Sequence, residues 1–202
     1  MAEIITLPSF VGFEDAQITL RRGSVVLRSK YTGKRQVLVL PYALWIFSGR
    51  LVPVDGTDAA DWRGFLVDLD GQANKFRLPV PGVVKPSSNY SGTQGCVNGV
   101  GQSGRTLLVD GLTINALYLR RGDYFTVNDE LKIVTETVSA SATGTATLTF
   151  KPRLRASPPD NALIIVNNPT MMVSSDSDDA ASWALTRPVQ HGISISAIEA
   201  ID

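Results

Sequence analysis

Few residues in this 202-residue chain have the types and spacing that chemistry requires. Gly99, Gly101 and Gly104 match G-x-G-x-x-G, and "GVGQSGRT" misses a phosphate-binding loop by one residue, with Arg105 where lysine belongs. Both patterns set glycine backbone and a helix N-terminus against phosphate oxygens, so both need a strand before the loop and a helix after it. Here "TLLVDGL" follows, which reads as a strand and a turn, so nucleotide binding is not expected. His191 and Cys96 are the single histidine and single cysteine. His191 stands beside Gly192 and reads as an exposed hairpin-turn residue, while Cys96 lies in a glycine-rich connection. One of each gives too few ligands for a protein-only zinc site and no recognisable nucleophile–base pair. Asp176, Asp178 and Asp179 lack the ordered spacing and central glycine of a calcium loop and read as a solvated acidic segment. Carboxylate pairs for glycoside hydrolysis can be far apart in sequence, and nothing here points to one. The expectation is no catalytic residue, no metal ligand, no cofactor and no enzyme activity.

Two binding signals remain. Arg121-Gly122-Asp123 spells the tripeptide that adhesive proteins show to integrins, but it joins two short strand-like runs, where glycine and aspartate are ordinary turn residues. Tyr90 and Tyr118 lie in less periodic surroundings than the other aromatics. With Arg120 and Arg121 they are the expected ligand or partner face.

The elements that must position these residues are mostly strands. Hydrophobic content of 44% supports a packed core, and 19 basic against 19 acidic side chains leave no surplus for neutralising phosphates. A single cysteine excludes an intrachain disulfide, and the start "MAEIITLPSF" lacks a basic region and a long apolar run. No stretch approaches the roughly 20 apolar residues of a membrane-spanning helix. These features predict a protein without membrane insertion, made in a reducing cytoplasm.

Val25, Leu27, Val37 and Val39 recur with the two-residue period of half-buried strands around Tyr31-Thr32-Gly33-Lys34. Trp45 and Phe47 share a face of the next strand. Within residues 55–72, Trp62, Phe65, Leu66 and Leu69 fall at i, i+3, i+4 and i+7, one apolar stripe of an α-helix that Thr57 or Asp58 can cap and Gly71 can stop. Residues 82–104 are rich in glycine and small polar residues and mark a crossing between modules. Short strands follow at near-regular spacing, as in a small barrel or sandwich. Residues 182–201 give two last strands around Gln190-His191-Gly192, with Trp183 and Leu185 facing Ile193 and Ile195. A terminal hairpin cannot bury its own apolar face. The expected organisation is therefore a discontinuous β-rich domain, 1–82 with 172–202, carrying an inserted domain over 83–171.

The segment order "GQSGRTLLVDGL", "LRRGDYFTVNDELKIVTETV", "GTATLTFKPRL", "NALIIVNNPTMMV", together with "ALWIFSG", "ADWRGFLVDLDGQ" and "KFRLPVPG" in the outer part, resembles the distal tail proteins of long-tailed bacteriophages across essentially the whole chain. The resemblance implies a mainly β fold: a discontinuous β-sandwich or barrel with one helix, and an inserted OB-like β-barrel. It implies a structural virion protein whose copies form a homohexameric ring between the tail tube protein and the hub or tip proteins. Such a protein would be assembled in the host bacterial cytoplasm, and DNA would pass through its lumen without specific binding. A carbohydrate-binding module for a host surface glycan is the alternative, and a small β-rich hydrolase a more distant one.

Overall fold

The computed structural model describes residues 2–9, 12–54, 56–186 and 190–201; side-chain surroundings are described except at 180, 185, 186, 190 and 191. The chain is mainly β, 46% strand and 8% helix, with one α-helix, a mixed sheet and a curled five-strand half-barrel. It divides into two compact units, residues 1–75 with 174–202 and residues 76–173. Residues 76–82 and 172–173 thus fall on the other side of the division from where the sequence expectation drew them.

The first unit begins with β1 (Ile4–Ile5), β2 (Phe13–Arg28), β3 (Arg35–Leu51) and α1 (Gly56–Asp68). Strand β4 (Lys75–Pro79) carries the chain out of it and β12 (Thr170–Ser175) carries it back. Strands β13 (Trp183–Thr186) and β14 (Gln190–Glu199) complete it. The sheet order is β1-β4-β12-β14-β3-β2, with β13 on β14. The stripe expected on α1 is its buried side: Trp62, Phe65 and Leu66 are buried with Ala59, and Leu69 closes the turn that follows. Trp62 and Phe65 meet edge to face, ring centroids 5.6 Å apart. The helix starts at Gly56, so Thr57 and Asp58 lie in its first turn rather than at its cap, and residue 55 lies outside the described residues. Trp45, Phe47, Leu51, Ile193, Ile195 and Ala197 supply the buried face of the sheet. Trp183 stands opposite Ile193, but Leu185 stands opposite His191 rather than near Ile195. His191 is therefore a strand residue, not a turn residue; the connection, 187–189, lies outside the described residues.

The second unit contains β5 (Cys96–Val97), β6 (Thr106–Asp110), β7 (Leu117–Leu119), β8 (Tyr124–Val127), β9 (Glu130–Val134), β10 (Val138–Ser139) and β11 (Ala146–Lys151). The curled sheet runs β5-β6-β11-β9-β8, with β10-β7 as a separate pair. Asn128 and Asp129, both at positive φ, make the two-residue turn from β8 to β9, the backbone a tight hairpin demands. Val97, Leu107, Val109, Phe125, Val127, Leu148, Phe150 and Ile164 fill the interior. One charged side chain joins them. Lys132 is fully buried, its ammonium donating to the Glu130 carboxylate and to the Arg153 carbonyl. The same carboxylate accepts the Arg155 and Ala156 amides, fastening the 153–156 segment to β9.

Candidate functional site: an exposed arm on the first unit

The ladder between β14 and β3 runs from Ser194↔Arg50 to Ile198↔Ile46. At its end the Glu199 carboxylate accepts the Trp45 amide at 3.0 Å. Beyond that point β2 and β3 continue together, from Leu20↔Trp45 out to Arg28↔Arg35. The ribbon is kinked midway, where Gly23 alone on β2 faces Leu40, Pro41 and Tyr42 on β3. A bulge of this kind bends and twists a strand, and proline has no amide to leave unpaired there. A Cβ on residue 23 would sit 2.6 Å from the Tyr42 hydroxyl, so any larger residue there must push the Tyr42 side chain aside.

Past this kink the ribbon is bare. Val26 pairs with Val37 on one face and Val25 with Leu38 on the other. Val25, Val26, Leu27, Val37, Leu38 and Val39 are all between 40% and 63% exposed. The two-residue period that predicts half-buried strands is present, but neither face is covered. Residues 20–40 also hold six bases, Arg21, Arg22, Arg28, Lys30, Lys34 and Arg35, and no acid. All six are exposed, and none pairs with an acid among the described residues. The overall balance of charge hid this segregation. The signal that could have found it is the acid-free run itself.

The opposite sign gathers elsewhere on the same unit. Gln72 ties the 176–179 loop to the end of α1, its side chain donating to the Asp176 carbonyl at 3.0 Å and its amide to the Asp178 carboxylate. This brings Asp68, Asp70, Asp176, Asp178 and Asp179 together, all exposed. Residues 64–74 and 174–182 contain no base.

Of the four residues expected to form a ligand face, the two tyrosines are buried and the two arginines are exposed. Tyr118 is fully buried and Tyr90 is 7% exposed; they meet edge to face, centroids 4.9 Å apart. Their rings are core, because an aromatic ring gains more from burial than its hydroxyl loses when that hydroxyl finds partners. The Tyr90 hydroxyl does, donating to the Thr93 carbonyl and accepting the Thr113 amide. The Tyr118 hydroxyl has no hydrogen-bond partner of normal geometry, and burial pushes its pKa well above the tyrosine value. Arg120 and Arg121 are exposed, on the turn before β8.

Asp123 settles the adhesion motif. It is 6% exposed, and its carboxylate accepts the Ser87 amide at 2.8 Å and the Arg120 amide at 2.7 Å. A side chain spent on two backbone amides is not offered to a receptor. The glycine motif is equally occupied. Strand β6 follows it rather than a helix. The Gln102 amide fills the loop, donating to the Asn98 carbonyl and accepting the Leu108 amide, while the Gly99 amide is taken by Asp160. Cys96 and His191 fall in different units. Among the described residues no three His, Cys, Asp or Glu side chains converge to hold a metal ion, and no helix is long and apolar enough to cross a membrane.

The second unit does have a groove of about 440 Å³, lined by Asn98, Leu108, Ser139, Ser141, Thr145 and Thr147. The hydroxyls of Ser141, Thr143 and Thr145 are hydrogen-bonded to one another beside it. No protein-family model matches the chain, and no curated protein does.

Proposed function

We propose that the chain is a structural virion protein whose copies tile into a ring at the distal end of a long-tailed bacteriophage tail tube, joining the tube to tip proteins that recognise the host. It is not an enzyme in this reading. The observation that carries it is the β2–β3 arm. A two-stranded ribbon is marginal by itself, and one that leaves six aliphatic side chains exposed on both faces calls for another protein surface. Its strand edges are also open to pairing, which a closed assembly covers. The segment order, which resembles that of distal tail proteins, supports the same role. The test is the mass of the full chain in solution, alone and with a tail-tube protein, joined to negative-stain imaging. Discrete rings support the reading; a monomer under both conditions ends it.

The hydroxyl-lined groove favours a second reading, in which the second unit holds a host surface glycan. It lacks an aromatic platform, since Tyr90 and Tyr118 face the core. Titrating bacterial surface polysaccharide into the full chain decides this: saturable binding lost in a Ser139→Ala, Thr147→Ala variant supports it.

A further inference from the structure

We infer that the arm of one copy, the ribbon 24–40, docks on the acidic pole of the next copy, formed by Asp68, Asp70, Asp176, Asp178 and Asp179. This rests on the ring reading above and names the contact that would build the ring.

The arm is unsuited to isolation. Arg28 stands directly opposite Arg35, and like charges across a ladder repel. With Lys30 and Lys34 in the connecting turn, the tip concentrates four exposed bases. Its surroundings must bring acid to it and must also cover Val25, Val26, Leu38 and Val39. The acidic pole offers the carboxylates, and Val67 on α1 adds an apolar contact among them, 60% exposed.

The arm and the pole of one copy also lie too far apart to meet. The Asp176 amide donates to the Ser196 carbonyl, and Ser196 pairs with Ser48. The acidic loop therefore leaves the sheet level with Ser48, thirteen residues along β3 from Arg35, or roughly 40 Å of strand. An arm cannot fold back across that distance onto its own pole. Two complementary surfaces at opposite ends of one unit make a head-to-tail contact between copies, the kind that closes into rings when the rotation allows.

Double-stranded DNA is the competing occupant for a basic ribbon. It would answer the arm's four bases but leave the aliphatic faces wet, and a bare basic arm in a conducting lumen would grip the DNA it must release. A second copy answers both.

The experiment uses charge exchange in the full chain. One variant carries Arg28→Glu, Lys30→Glu, Lys34→Glu and Arg35→Glu, which makes the arm acidic; the other carries Asp68→Lys, Asp176→Lys and Asp179→Lys, which leaves three bases against two acids at the pole. Asp68 lies in the last turn of α1, where a cation suits the helix dipole. Each alone should associate on the order of 100-fold more weakly than wild type, because like charges then face each other. Mixed one to one, they should recover assembly, since each arm again meets a pole of opposite sign. Recovery also shows that both variants are folded. Wild-type assembly should weaken with added salt. If wild type forms rings and both variants do so equally well, or if the mixture stays dissociated, the arm–pole contact is wrong while the ring reading stands. If wild type never assembles, even with a tube protein, the ring reading falls and the contact with it. Unchanged assembly with lost salt-sensitive DNA retention in the arm variant would make nucleic acid the occupant and overturn the proposal.

Discussion

Arg28 and Arg35 face each other across the last register pair of the β2–β3 ribbon, two guanidinium side chains where a stable free hairpin would place opposite charges. Relieving that repulsion should steady the ribbon in the unassembled chain. Arg35→Thr is expected to slow amide exchange at residues 24–28 by up to about fivefold while weakening association. Faster exchange in the monomeric variant would show that the pair is not in conflict.

Tyr90 and Tyr118 touch ring to ring, yet the same substitution should act on them with opposite sign. Tyr90→Phe deletes a hydroxyl that bridges the Thr93 carbonyl and the Thr113 amide, and should cost about 1–3 kcal/mol. Tyr118→Phe removes a buried hydroxyl with no partner of normal geometry and should be neutral or stabilising by up to about 1 kcal/mol. Thermal melting of the two variants beside wild type checks both, and equal losses would contradict the assignment.

Tyr118 also sets an alkaline limit. Its pKa is raised in the fold, chiefly by burial and next by the neighbouring Tyr90; Tyr124 is raised by burial as well. A group that holds its proton more tightly when folded contributes fully below its unfolded pKa, about 10 for tyrosine. That contribution is lost as the pH climbs above it. Stability should therefore be flat toward pH 10 on this account and fall beyond, and Tyr118→Phe should flatten the fall. A wild-type and variant pair with parallel curves from pH 9 to 12 would remove Tyr118 as the cause.

Glu130 joins three backbone and side-chain partners around a buried ammonium. Glu130→Gln leaves Lys132 charged and without its carboxylate, an imbalance that costs about 3–5 kcal/mol. Denaturant unfolding followed at the second unit should show it. A loss below about 1 kcal/mol would mean that the Glu130 carboxylate is not what compensates the buried ammonium.

Much of this architecture could be read along the chain. The stripe Trp62, Phe65, Leu66, Leu69 announces α1, because a helix buries residues at that spacing and no other element does. Turn residues mark the second unit, as Asn128 and Asp129 do at positive φ. What escaped had physical causes. Period-two alternation says which residues share a face, not what lies on it, so Val25, Leu27, Val37 and Val39 looked like core and prove to be exposed. Tyr90 and Tyr118 looked like surface because their neighbours lack periodicity, yet Tyr118 lies in the three-residue strand β7, too short to show a period, and Tyr90 packs edge to face against it in the same core. A net charge of zero reported nothing about place, although the acid-free run from Leu20 to Leu40 was in plain view.

The account stands on copies of this chain covering one another's arms. Sedimentation velocity of the full chain with a tail-tube protein tests that most directly. It should give a discrete closed species, roughly 130 kDa for six copies of a 21.7 kDa chain, beyond whatever the tube protein adds. A chain that sediments as a 21.7 kDa monomer at every concentration and salt, with or without that protein, would contradict it.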